Sequence, residues 1–227
     1  MWSMVRLAVA EGRTGADQAL DDLCRAYEKP ILAYIIRNGH QPDIAADLKQ
    51  AFFECLLSKN ALADAETTRV KLRAFLITKL HSFLIDRHRH ATAQKRGDGK
   101  VVALSSLSDE QRHLAEPVDH MTPDRVYQQQ WVQTLLNSTM QQLEAEYTES
   151  GKADLFAVLS PMIGKDNDTG YVEMAASLGK NVNTLKSEVH RLRKTWKAVI
   201  EQQVAATLDD PTPANIKAEI NELMAFR

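Results

Sequence analysis

The sequence predicts an all-α protein of two helical domains joined by a flexible linker, with a helix-turn-helix in the second. Three observations predict it. Apolar residues recur at helical spacing along most of the chain. No segment sustains the alternation of a strand. A polar stretch broken by Ser105, Ser106, Ser108 and Pro117 interrupts the apolar pattern once, between residues 98 and 124. The expected division is a first domain over 1–97, a linker over 98–124, a second domain over 125–200 and a C-terminal helical extension over 201–227.

Each element has its own signal. Leu20, Leu23, Tyr27, Ile31, Tyr34 and Ile35 form one stripe. Pro30 lies inside it, so that either the helix kinks or two helices meet there. From Asp43 to Leu57 the set Ile44, Leu48, Phe52, Cys55 and Leu56 makes the next stripe, with Pro42 and Asp43 suited to its first turn. Leu72, Phe75, Leu76, Leu80, Phe83 and Leu84 make a third. Within the linker, Ser108-Asp109-Glu110-Gln111 fits a capping box and a short helix. Thr122 and Pro123 are an N-cap and a first helical position, after which Tyr127, Trp131, Leu135, Leu136 and Leu143 continue the pattern to a break at Gly151. Leu155, Phe156 and Leu159 follow it.

The segment Tyr171–Lys194 reads as a helix-turn-helix. Ala175 is small where two helices must cross, Gly179 allows the turn and Asn181 caps the second helix. Leu185, Val189, Leu192 and Trp196 then face inward, which leaves Asn183, Thr184, Lys186, Ser187, His190, Arg191 and Lys194 facing outward. Small polar residues at the start of a helix and cations along it suit base edges and phosphates in a major groove. A plain helical hairpin with a basic face is the alternative. After a break at residues 209–213, Ile216, Ile220, Leu223 and Met224 predict a last helix. It either packs on the second domain or acts as a regulatory cover on a binding surface.

The net charge of -2 averages blocks of opposite sign. From Arg69 to Lys100 nine Lys and Arg oppose Asp86 and Asp98, about +7; from Lys180 to Lys197 six oppose Glu188, about +5. Two basic islands in an acidic chain suggest two contacts with a polyanion, or else two solvated faces. Opposite the apolar stripe of residues 43–57, Asp43, Asp47, Gln50 and Glu54 share one polar face, a docking stripe for a basic partner or a wet surface. Catalytic motifs such as HExxH, GxSxG or a Gly-rich phosphate loop are missing, so no enzyme, cofactor or metal site is expected. Arginines flank His88 and His90 and oppose a cation there. Two cysteines without metal or redox spacing fit a reducing compartment. With no spanning apolar run and no signal-peptide core after Met1, a cytoplasmic protein without a membrane partner is expected.

In this order the motifs resemble the bacterial RNA polymerase sigma factors of the extracytoplasmic-function class, over most of residues 16–198. Asp43-Ile-Ala-Ala-Asp-Leu-Lys-Gln-Ala-Phe-Phe53 resembles the family's helix with an Asp-Leu-x-Gln core. Leu72-Arg-Ala-Phe-Leu-Ile-Thr78, Leu84-Ile-Asp-Arg87 and the helix-turn-helix follow at family spacing. The resemblance implies a region 2-like helical bundle and a region 4-like helix-turn-helix domain. It makes Asp47 and Gln50, with Asp43 and Glu54 on the same face, the contact with the β′ clamp helices of core polymerase, and the β subunit a further partner. It implies minus-ten promoter contacts within Arg73–Arg96, among them Arg73, His81, Arg87, His88, Arg89, Lys95 and Arg96. The helix with Asn183, Thr184, Lys186, Ser187, His190, Arg191 and Lys194 becomes the minus-thirty-five reader. An anti-sigma factor is a further candidate partner. Ala51 stands where the family often has Glu, Lys49 where Thr is common, and His81-Ser82 where Arg-Asn is frequent. A stand-alone helix-turn-helix regulator and an adaptor that never touches DNA are the rival expectations.

Overall fold

The computed structural model describes residues 15–58, 71–97, 121–164, 168–177, 179 and 181–226. All regular structure among them is helical: α1 (Gly15–Arg37), α2 (Pro42–Ser58), α3 (Leu72–Gly97), α4 (Pro123–Glu149), α5 (Ala153–Leu159) with a 3-10 turn at Ser160–Met162, α6 (Asp168–Ser177), α7 (Val182–Ala205) and α8 (Pro213–Met224). α1 is a single helix that runs through Pro30. The expected helix at 108–111 and nearly all of the expected linker lie outside the described residues.

Two apolar clusters form, and they divide elsewhere than at residues 98–124. The first joins Leu23, Tyr27, Ile31, Tyr34 and Ile35 of α1 to Phe52 and Leu56 of α2 and Leu72, Phe75, Leu76 and Leu80 of α3. It also takes in Tyr127, Trp131, Val132 and Leu135 of α4, Ile200 and Val204 of α7, Leu208, and Leu223 of α8. The second holds Leu143 of α4, Phe156 and Leu159 of α5, Met162, Tyr171 and Ala175 of α6, and Leu185, Val189, Leu192 and Val199 of α7. α4 and α7 thus thread both cores, and Trp196 packs against both. The boundary expected at 200/201 falls inside α7. The physical reason is the length of α4, 27 residues: its apolar stripe outruns the helix-turn-helix, and the excess must find cover on α1.

Aromatic pairs fix the register of α1 on α4. The Tyr27 and Trp131 ring centroids lie 6.4 Å apart, and Tyr34 meets Tyr127 edge to face at 6.4 Å. Phe52 and Phe83, 5.6 Å apart, tie α2 to α3. The Tyr127 hydroxyl donates to the Arg73 carbonyl at 3.2 Å, and burial pushes its pKa far up, so the phenol stays neutral. One member of the expected α2 stripe is misassigned: Ile44 is 49% exposed, because the buried face of α2 runs through its neighbour Ala45, with Phe52 and Leu56.

The C-terminal helix packs on α7 and α4 and adds Leu223 to the first core. Thr212 caps it, accepting from Asn215 N–H at 3.3 Å, and Pro213 opens it. Its Glu219 and Glu222 meet Lys71 and Arg73 at the start of α3. Arg73 Nε donates to Glu219 Oε1 at 2.7 Å, Nη2 to Glu222 Oε1 at 2.5 Å and Nη1 to Gln128 Oε1 at 2.5 Å. Lys71 Nζ lies 2.6 Å from Glu219 Oε2 and also bonds Glu222. The Lys71 bond, and next to it Arg73, hold the Glu222 carboxyl below its ordinary pKa despite some desolvation.

Two outcomes follow from these contacts. Ile31→Ala should destabilise the fold by about 2–5 kcal/mol. Since α4 and α7 belong to both cores, hydrogen exchange should show the helix-turn-helix losing protection with the first core. Glu222 has a depressed folded pKa, so its contribution is present above the ordinary carboxylate range and is lost as pH falls through the folded value. Thermal melts of the native protein and of Glu222→Gln should differ by a degree or two at neutral pH, as for an exposed pair of ~0.2–1 kcal/mol, and converge at acid pH.

Candidate nucleic-acid interface

The helix-turn-helix is built by its own local chemistry. α6 ends before Gly179, whose φ of +61° lies in the left-handed region and turns the chain. The Asn181 side chain accepts from the Asn183 N–H at 2.8 Å and starts α7. Ala175 is buried at the crossing, where a larger side chain would push the helices apart. Leu185, Val189 and Leu192 are buried beneath α7 and Trp196 is half-buried. All seven expected reading residues, Asn183, Thr184, Lys186, Ser187, His190, Arg191 and Lys194, are exposed on its outer face. The Ser187 hydroxyl donates to Asn183 O at 3.0 Å, and Arg191 Nε reaches Ser187 O at 3.4 Å. Lys186 lies 5.5 Å from the centre of the Tyr171 ring, which holds its stem against α6. Arg193 is drawn inward and donates to Met162 O at 2.8 Å, which fixes α7 to the turn after α5. Such a surface offers donors for base edges at one end and cations for phosphates along its length.

The first basic island is divided. His81, Arg87, His88 and Arg89 of α3 are exposed. Lys95 and Arg96 belong to α3, but their side chains lie outside the described residues. Arg73, expected to face promoter DNA, is instead only 4% exposed, with its guanidinium enclosed by Glu219, Glu222 and Gln128. In this structure Arg73 is covered and not presented on the surface: periodicity along α3 cannot show that a helix from the other end of the chain covers this position. The Arg87 guanidinium stacks 5.3 Å from the Phe83 ring, and Arg89 keeps 3.8 Å from Asp86.

Beside these residues the fold forms a hollow of about 280 Å³, lined by Asn38, His40, His81, Leu84, Ile85, His88 and Arg89. Asn38 and His40 were missed by sequence reasoning. Their signal was Asn38-Gly39: Gly39 has a φ of +92°, and the turn brings the α1–α2 connection back to α3. The Asn38 amide donates to Tyr34 O at 2.8 Å, which anchors this wall. Imidazoles, a guanidinium and an apolar floor suit an unstacked base with its phosphate. Among the described residues no group of three His, Cys, Asp or Glu side chains could hold a metal ion.

On α2, Asp43, Asp47, Gln50 and Glu54 are all exposed on one face, and Gln50 donates to Glu54 at 3.1 Å. Leu57, 44% exposed, extends the same face by one turn. Lys49, beside the stripe, pairs with Glu28 of α1. The result is a carboxylate row with an apolar end, the complement of a basic amphipathic helix.

Gly179→Ala places an alanine in the left-handed region with open space around its Cβ, so backbone preference alone should cost about 1–2 kcal/mol. Asn181→Ala should cost about 1 kcal/mol through the lost cap. Urea denaturation of each variant checks both values. Comparison with protein-family models, with curated proteins and with solved structures finds no match to this chain.

Proposed function

We propose that this chain is a sigma factor of the extracytoplasmic-function type, which binds core RNA polymerase and directs promoter-specific initiation without an active site of its own. The observation that carries this reading is the outer face of α7: seven exposed polar and basic residues, set up by the Gly179 turn and the Asn181 cap. The hollow beside His81 and His88 supports a second contact, with the melted minus-ten strand, and the acidic row of α2 supports docking on the β′ clamp helices. Each surface alone is small. Specificity then comes from two weak DNA contacts held by one enzyme.

A second reading, a helix-turn-helix regulator that acts without polymerase, draws on the enclosure of Arg73, which removes one cation from the expected minus-ten surface. The two readings part in one reconstitution. The purified protein is mixed with sigma-free bacterial core polymerase and scored for co-elution and for promoter-dependent transcripts from a genomic library. The sigma reading expects both, and expects Asp47→Arg to abolish both by setting like charges against each other. Tight duplex binding without polymerase, and no co-elution with a cognate core, would favour the regulator. Arg191→Ala should weaken duplex binding in either case. If about five phosphates are neutralised, the slope of log affinity against log salt is roughly -4 to -5 for the native protein, and it should flatten by about 1 in the variant.

A further inference from the structure

We infer that α8 is an autoinhibitory latch, whose Glu219 and Glu222 occupy Lys71 and Arg73 in the place of nucleic-acid phosphate. The inference rests on the sigma-type reading and adds regulation to its first DNA-binding surface. By sequence, Lys71 and Arg73 count toward the first basic island. In the fold both cations are paired by two carboxylates from the opposite end of the chain, 146 and 149 residues beyond Arg73, which leave Arg73 buried and Lys71 partly exposed. The Arg73 fork meets three acceptor oxygens at 2.5–2.7 Å, from Glu219, Glu222 and Gln128. A planar guanidinium makes the same kind of multiple charge-assisted bond to a phosphodiester. Lys71 adds a second cation to the same two carboxylates. The pair of acids is therefore a stand-in for a backbone phosphate.

The construction of α8 suits release. It has 12 residues, at the lower edge of the ~12–15 at which even good isolated helices are marginal in water, so it persists only while docked. Leu223 is its one fully buried apolar side chain among the described residues; Ile216 and Ile220 are partly covered and Met224 is exposed. Buried ion pairs add little net stability, because desolvation offsets most of the Coulombic gain. They do impose a strong preference for the docked geometry. A competing polyanion that supplies equivalent oxygens can then take over the cations, at the cost of exposing Leu223 and uncovering Ile216 and Ile220.

The test uses the full chain and a short labelled DNA, single-stranded and as duplex, titrated over a range of salt, with hydrogen exchange of residues 213–224 read in parallel. The proteins are the native chain, Glu219→Gln/Glu222→Gln, and Glu222→Gln alone; the last changes a side chain 48% exposed and so should leave folding intact. A fourth protein adds Lys71→Gln and Arg73→Gln to the double variant. The latch predicts that the glutamine variants lose protection in α8. It also predicts that the double variant binds single strands with a salt slope steeper by about 1.4, two phosphates at about 0.7 each, and that the fourth protein returns to the native slope. Lost protection with an unchanged slope, or α8 protection retained in both glutamine variants, overturns it. Equal binding by native and variant proteins overturns the latch alone. No binding by any protein, to either form of DNA, removes the nucleic-acid reading and the latch with it.

Discussion

The seam between α1 and α4 is the constraint on which the rest of the molecule depends. Tyr27 against Trp131 and Tyr34 against Tyr127 join segments about a hundred residues apart in the chain. Large rings buried together account for much of a core's stabilisation, and their shapes allow few relative positions. Beside this seam α3 is pinned through the Tyr127 hydroxyl on the Arg73 carbonyl, and α7 is held through Ile200 and Val204. The second core is built on the far halves of α4 and α7. Its helix-turn-helix inherits a fixed orientation along α7.

Three surfaces project from this frame, each held by a different kind of contact. The α7 face is presented by the apolar residues beneath it, Leu185, Val189 and Leu192. The hollow at His40 and His81 depends on a glycine-permitted turn and on the Asn38 amide. The α2 row owes its shape to exposure alone, with carboxylates at helical spacing on a face the core leaves uncovered. All three pair polar or charged chemistry with a rigid helical support, as weak and reversible recognition of large charged partners requires.

Much of this was legible in the sequence because the deciding forces are local. Thr122 and Asn181 cap their helices by reaching backbone donors two or three residues away, and Gly179 and Gly151 turn the chain where only local sterics matter. The buried face of α3, Leu72, Phe75, Leu76 and Leu80, follows from period 3.6. Periodicity names the face of a helix that is buried, however, and not what buries it. The stripe of Tyr127, Trp131 and Leu135 was readable, but its cover by α1 was not. Arg73 is the same lesson for charge: its partners stand at the other end of the chain, and no spacing rule links them. Ile44 failed because the buried face passes through Ala45 and leaves Ile44 turned outward, a rotation of one residue that spacing alone does not fix.

The continuity of α7 through both cores carries a mechanical consequence. A helix of 24 residues is a rod about 36 Å long, with its polar outward residues near one end and the connection to α8 at the other. Without a proline or a bulge such a helix curves only gently. A tilt of its first turns is therefore felt at Ile200, Val204 and, just past its end, at the Thr207 carbonyl that accepts from the Leu72 N–H. Trp196, packed against both cores, is the pivot between the exposed outer face at one end and the start of α3 at the other.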